Sequence, residues 1–395
     1  MKPLKDKNIF KILKIVSEEK KIARKDLARI INITPAGVTK ITKKLIEKGY
    51  LIETEKGNSI GGRPPIMLEL NPEKGYIAGI YYAPKKIKGI LMNLHSEILY
   101  SETHEIKSKN KDTILDESYK LIDRVLSKAG DKNVLGIGVA LNGLVDSKEG
   151  VSLFSPHYRW RDVPLMAILK ERYDLPIVID NDVRMMAVAE KEYGAAKGNS
   201  SFIMLNIGEG IGAGIVIEDK IFHGGSYSAG EIGHLKVNEE GKRFCSCGKK
   251  GCLEAEISTE NIMAKVKGEM ESENIRSYLT EIRDRDLNFE DICEGANNGD
   301  YYCIKIIEYI GENLAKALGS VVNIINPELL VINGEVNRCQ EILYPIIKLS
   351  IQKYSMYNAA KKLEIKAGEL LQKGAPLGAA AVVYKKIFGG EIGLE

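Results

Sequence analysis

One imidazole and three thiols lie within nineteen consecutive residues of this chain: Gly233-His234, ten residues, then Cys245-Ser246-Cys247-Gly248-Lys249-Lys250-Gly251-Cys252. Nothing else in the sequence restricts the fold so tightly. Soft thiolates and a borderline ring nitrogen at this spacing suit a tetrahedral Zn2+, and the glycines let a short loop close around the ion. Buried structural cysteines are the ordinary alternative, but this segment is rich in Gly and Lys rather than apolar. With His234, Cys245, Cys247 and Cys252 all supplied by the protein, the zinc would be structural, with no coordination position left open. Glu231 before the site and Glu254 after it suggest that the loop also shapes a small-molecule pocket.

At 395 residues the chain exceeds one ordinary domain, since domains run to about 100–200 residues. Its 44% hydrophobic and 28% charged content is that of a soluble globular protein. Met1 to Lys7 holds no apolar signal region, and no stretch approaches the roughly 20 apolar residues that span a bilayer. Cys293, Cys303 and Cys339 follow no framework spacing, so a reducing, cytoplasmic setting is expected. The net charge of +3 hides an asymmetry. Residues 1–75 carry 17 Lys and Arg against 9 Asp and Glu, whereas the remainder carries 40 against 45. A basic amino-terminal module on a mildly acidic body predicts a polyanionic partner for the first part alone.

Ile9, Ile12, Leu13 and Val16 recur at helical spacing and predict a first helix ending near Glu19. A second fits Arg24 to Ile31. Thr34 is a good N-cap and Pro35 a good first residue for a third helix, which runs to about Lys48 with Val38, Ile41, Leu45 and Ile46 inward. Two short strands, Leu51 to Glu55 and Ile66 to Leu70, follow around a Gly-rich turn. This order predicts a winged helix-turn-helix over residues 1–72, its third helix entering the major groove of operator DNA. The candidate DNA-reading groups are Thr34, Ala36, Thr39, Lys40 and Lys43. Small residues permit close approach, Thr39 offers both hydrogen-bond roles, and the lysines suit phosphate or guanine. A helical protein-binding module is the alternative. Within Gly61-Gly62-Arg63-Pro64-Pro65, Arg63 is suited to a narrow A·T-rich minor groove; a stiff linker explains the segment equally well.

From Tyr76 the pattern changes. Ile77 to Tyr81, Ile87 to Leu94 and Ile98 to His104 read as strands, Thr113 to Ala129 as a helix, and Val134 to Leu141 as a buried strand. A further strand at Pro176 to Ile179 carries Asp180-Asn181-Asp182 at its end. A helix from about Arg184 to Tyr193 and strands at Ser201–Ile207 and Gly214–Ile217 follow. Residues 73–395 thus read as a two-lobed α/β body, with the zinc loop at about 230–256 and a ligand cleft expected between lobes.

Gly230-Glu231-Ile232-Gly233-His234, with Cys-x-Cys-Gly-x-x-Gly-Cys-Leu-Glu from Cys245 to Glu254, resembles the signature of the ROK family of sugar-responsive repressors and sugar kinases. Asp180-Asn181-Asp182 is similar to its sugar-binding segment, and Gly208-Glu209-Gly210-Ile211-Gly212 to its glycine-rich phosphate loop. Asn326-Pro327-Glu328 to Gly334 resembles a later landmark. The resemblance implies a ribonuclease-H-like, actin-like ATPase-type body. The amino-terminal module and its Gly-Gly-Arg-Pro-Pro segment resemble the repressor branch, the xylose-type repressors in particular.

That resemblance places Asn181, Asp182, Glu231, His234 and Glu254 around one monosaccharide, xylose or glucose-like. Carboxylates accept from vicinal hydroxyls, and His234 can ligate zinc through one nitrogen while offering the other to the sugar. For Asp182 and Glu254, surface or capping carboxylates are the plain alternative. Catalysis in the family uses Asp182's counterpart as general base, and an Asp-x-Gly-Gly-Thr turn to hold ATP. Here that stretch is Tyr81-Tyr82-Ala83-Pro84-Lys85. Proline has no N–H for a phosphate and fixes its φ, and Glu209 replaces the usual Thr of the second phosphate loop. Phosphoryl transfer depends almost wholly on positioning and charge, so these departures argue against enzyme activity. The leading expectation is a dimeric, sugar-responsive repressor. The alternatives are an ATP-dependent sugar kinase bearing a DNA-binding domain, with Asp182 catalytic, and a zinc-stabilised scaffold without ligand.

Overall fold

A computed structural model describes residues 7–56, 64–272, 275–282 and 284–393. They form two compact units, residues 1–182 with 375–395, and residues 183–374.

The first unit opens on α1 (Lys7–Glu19), β1 (Ile22–Ala23), α2 (Arg24–Ile31) and α3 (Pro35–Glu47), followed by β2 (Leu51–Lys56) and β3 (Ile66–Leu70). Ile9, Ile12, Leu13 and Val16 are buried, as their spacing predicts. The strands pair in the order β1-β3-β2. β1 escaped the sequence reading because two residues are too few to show alternation; it exists because Ile22 pairs with Leu68. The inward face of α3 also differs from expectation. Val38, Leu45 and Thr42 are fully buried, while Ile41 and Ile46 are only half-buried. Thr42 is tolerated there because its hydroxyl accepts from Arg24 Nε at 3.0 Å and donates to Thr39 O at 3.2 Å, leaving no orphaned polar atom. Gly61, Gly62 and Arg63 lie outside the described residues.

The unit continues with β4 (Tyr76–Ala83), β5 (Lys86–Asn93), β6 (Ile98–Glu105), α4 (Lys111–Ser127) and β7 (Val134–Leu141). Then come β8 (Leu144–Asp146), β9 (Val151–Ser155), β10 (Trp160–Val163), α5 (Leu165–Lys170) and β11 (Ile177–Asn181). One sheet has the order β11-β7-β4-β5-β6, with β4, β7 and β11 parallel and the β4–β5–β6 meander antiparallel. Gly79 and Gly138 face each other across β4 and β7. A Cβ on either would lie 2.1 Å from Pro376 O or 2.0 Å from Ala379 O, so the carboxyl-terminal helix (Gly374–Phe388) rests directly on the strand backbones. Beyond that helix Gly390, with φ of +79°, meets the ring of Phe10 on α1.

The second unit holds nearly all of α6 (Asp182–Tyr193), then β12 (Phe202–Ile207), β13 (Ile211–Ile217) and β14 (Lys220–Ile221). Helices α7 (Leu253–Ile257), α8 (Thr259–Ser272), α9 (Tyr278–Glu281), α10 (Phe289–Asn297) and α11 (Tyr301–Ile325) lead to β15 (Leu329–Gly334). It closes with α12 (Gln340–Ser350), α13 (Tyr357–Lys362) and β16 (Glu364–Ala367). Its sheet runs β14-β13-β12-β15-β16, again an antiparallel meander followed by two parallel strands. Each unit therefore repeats one strand order and polarity. β13 starts at Ile211, three residues before the expected Gly214, because Ile207 and Ile211 already pair. Among the described residues no helix is long and apolar enough to cross a membrane.

Candidate functional site

α3 exposes Ala36, Thr39, Lys40 and Lys43. Thr34 caps it, its Oγ1 accepting from Gly37 N at 3.2 Å, and Pro35 supplies the first helical residue. The Thr39 hydroxyl donates to Pro35 O at 2.8 Å, so toward a base edge it serves as an acceptor. Behind this face, Arg24 bonds Thr42 and also reaches Glu53 at 2.6 Å, joining α2, α3 and β2. Thr34→Ala removes the cap alone. It should cost about 1 kcal/mol, measurable as a small fall in the urea midpoint, while Lys40 and Lys43 stay in place.

The ligand atoms of His234, Cys245, Cys247 and Cys252 all lie within 4.8 Å of one another. Cys247 Sγ and Cys252 Sγ are 3.7 Å apart, and Cys245 Sγ is 3.2 Å from His234 Nδ1. Ligands sharing a tetrahedral zinc with bonds near 2.3 Å are separated by about 3.8 Å, so this donor set fits a metal ion. Burial pushes the Cys245 thiol up to about 12, and an incoming cation must displace protons from sulfur. Glycines set the geometry. A Cβ on Gly230, whose φ is +92°, would sit 1.9 Å from Ala213 O, and one on Gly233 2.3 Å from Ile211 O. The turn Ile232–His234 is thereby pressed onto β13.

Nδ1 of His234 faces the sulfurs, while its Nε2 lies 3.7 Å from Glu231 Oε2. A metal on Nδ1 leaves the proton on Nε2, placing a donor beside a carboxylate acceptor. Glu254 is more tied down than its expected role suggests. Its Oε1 accepts from Ser246 Oγ at 2.8 Å and its Oε2 from Ile211 N at 3.2 Å, bracing the loop against β13. Glu209 is exposed in the turn between β12 and β13.

Asn181 and Asp182 belong to the first unit; Glu231, His234 and Glu254 belong to the second. Asp182 is buried at the junction of β11 and α6. Its Oδ1 accepts from Asn181 Nδ2 at 3.1 Å, and its Oδ2 from Tyr81 Oη at 3.2 Å and Asn142 Nδ2 at 3.4 Å. From the sequence, Tyr81 reads only as a lost carboxylate, and Asn142 as a polar group at the end of a buried strand with no assigned role. Neither belongs to a motif, and only the meeting of β4, β7 and β11 brings them to Asp182. The β4–β5 connection is a two-residue turn, Pro84-Lys85, between the paired Ala83 and Lys86. Tyr158 donates its hydroxyl to Ala83 O, so the backbone there is committed to the protein.

Residues 77–386 match the ROK family, and residues 5–52 match a winged helix-turn-helix DNA-binding family. The chain is 30% identical to the xylose repressor of Caldicellulosiruptor bescii over 383 residues, 96% of each chain. It is 29% identical to the DNA-binding transcriptional dual regulator NagC of Escherichia coli, across 98% of this chain and 94% of NagC. Among solved structures, a ROK family transcriptional regulator homologous to the E. coli MLC protein superposes with a TM-score of 0.87 at 29% identity, over 98% of this chain and 97% of that one. A ROK family glucokinase from Streptomyces griseus, solved with glucose and AMPPNP, gives 0.67 at 25% identity, covering 78% of this chain and 99% of that one.

Proposed function

The chain belongs to the ROK family, and on that premise we propose that it is a sugar-responsive transcriptional repressor, xylose-utilisation genes being its first candidate targets. A xylose repressor and a DNA-binding transcriptional dual regulator match 96% and 98% of this chain, whereas the glucokinase covers 78% of it, which favours this reading over a kinase. One observation carries it: a DNA-reading helix sits on a body whose would-be nucleotide turn has closed to Pro84-Lys85. Proline offers that turn no N–H for a phosphate.

In this reading Asn181, Asp182, Glu231, His234 and Glu254 bind a monosaccharide, xylose or a glucose-like hexose. His234, Cys245, Cys247 and Cys252 hold a structural Zn2+. Thr34, Ala36, Thr39, Lys40, Lys43 and Arg63 belong to the operator-reading surface, with Thr34 acting through its cap. A homodimer in the cytoplasm presents two such modules to a palindromic site. Sugar acts by binding one conformation in preference to another. Moving the population from 1:99 to 99:1 takes about 5.5 kcal/mol of differential affinity.

The test is binding to the intergenic DNA upstream of the protein's own gene, with and without sugars, over a range of salt. Lys40→Ala and Lys43→Ala should each weaken binding and flatten the dependence of log K on log salt by about one. Absence of salt-sensitive binding to that DNA under all conditions would remove the repressor reading. Across a panel of monosaccharides with ATP, no sustained ADP release is expected. Turnover abolished by Asp182→Asn would instead establish the kinase.

A further inference from the structure

We propose that Tyr81 and Asn142 belong to the effector site, forming with Asp182 a group that recognises one hydroxyl of the sugar. The proposal rests on the sugar-binding reading above and adds two residues to it.

Successive residues of a strand face opposite sides. Tyr82 turns toward Tyr158 and Trp160, its ring centroid 6.1 and 5.9 Å from theirs, so Tyr81 turns the other way. There its hydroxyl donates to Asp182 Oδ2 at 3.2 Å. The Asn142 amide donates to the same oxygen at 3.4 Å. Asn181 Nδ2, held also by Gly143 O at 2.9 Å, fixes the other oxygen at 3.1 Å. The carboxylate is therefore oriented by the protein before any ligand arrives, which lowers the cost of binding one.

Asn142 supplies the second observation. Its nitrogen must face the carboxylate, since only the N–H can donate, and that orientation leaves its Oδ1 buried with no hydrogen-bond partner. Buried acceptors are nearly always paired. A hydroxyl reaching this place can donate to Asn142 Oδ1, to Asp182 or to the phenol oxygen of Tyr81, whose own proton stays on Asp182. Donors and acceptors set around one carboxylate match the two-way hydrogen bonding of a sugar hydroxyl. Three donors already directed at the acid suit an acceptor that holds its ligand.

Isothermal titration of the full-length protein with D-xylose, D-glucose and N-acetyl-D-glucosamine tests this, using the parent, Tyr81→Phe and Asn142→Ala. Each substitution should weaken the sugar that binds by about tenfold, with the unliganded melting temperature little changed for Tyr81→Phe. The monodeoxy analogues of that sugar separate recognition from structural support. For one analogue, the one lacking the hydroxyl that meets Asp182, parent and Tyr81→Phe should bind equally. A Tyr81→Phe protein that binds every sugar as the parent does overturns the proposal. So does a penalty that is uniform across all deoxy analogues. If Asn142→Ala fails to fold, the Tyr81→Phe series decides alone. A parent protein that binds none of the three sugars overturns the sugar-binding reading itself, a result distinct from the other two.

Discussion

A Cys252→Ser variant is expected to lose its stoichiometric zinc and to melt well below the parent protein. Cys252 is buried, with 1% of its surface exposed, and it immediately precedes α7. The loop it closes has little structure of its own. Two isolated bridges, Lys236 with Cys252 and Phe244 with Lys250, are all the strand pairing described there, and the local apolar cluster is Cys245, Cys252 and Ala255. A segment with so small a core needs a cross-link, which a metal ion on the four ligand atoms would supply. Structural zinc contributes about 10–16 kcal/mol in small peptides that fold around it. Here the main core of the second unit lies in α11 and the five-stranded sheet, so a loss of several kcal/mol, centred on the loop and the turn bearing His234, is the expected scale. Elemental analysis and calorimetry check it. A variant that retains one zinc per chain, or that melts with the parent, contradicts the assignment. Sugar affinity should fall with the metal, because Nδ1 ligation fixes the ring whose Nε2 lies beside Glu231.

Gly138→Val should be the most damaging single substitution in the first unit. The carbonyl oxygen of Ala379 lies 2.0 Å from where the new Cβ must go, and the carbonyl carbon 2.4 Å. Those atoms are helix backbone and cannot swing aside as a side-chain tip can. The helix must lift from β4 and β7, uncovering the sheet face that carries Gly79 and Gly136, where an added Cβ would likewise meet Pro376 O and Val383 Cγ1. Overpacking of this kind costs about 1–3 kcal/mol where side chains yield, and a rigid backbone neighbour puts the expectation at or above the upper end. Urea unfolding gives the measurement. Gly268→Ala, in α8 with nothing within 4 Å of its added methyl, is the control. It should be neutral or stabilising by up to about 1 kcal/mol. Equal effects at the two positions would refute the packing argument.

The sequence was most informative where one residue's chemistry forces one geometry. Thr34-Pro35 marks the start of α3 to the residue, and the spacing of Ile9, Ile12, Leu13 and Val16 outlines α1. The clustering of His234, Cys245, Cys247 and Cys252 was legible for the same reason: the spacing of the four brings them together as a set able to hold a metal ion. Thr42 misled because helical periodicity ranks an isoleucine above a threonine, and the Arg24 partner that makes burial possible lies 18 residues away. α11, with 25 residues, and the small β8–β9–β10 sheet went unanticipated. Glu254 reads as a ligand group in sequence, yet it also anchors the loop to Ile211. Tyr81 and Asn142 were hidden for a different reason: their partner, Asp182, is 101 and 40 residues distant.

Past its last helical turn the chain brings Gly390 against Phe10 of α1, while Tyr384 on that helix donates to Leu94 O. The tail is thus a structural neighbour of the operator-reading module, although hundreds of residues separate them in sequence. Even a methyl at Gly390 would lie 3.1 Å from the Phe10 ring, so a bulky substitution there would crowd this junction. Reporter assays of such a variant should understate repression, and its promoter occupancy should change before its effector binding does.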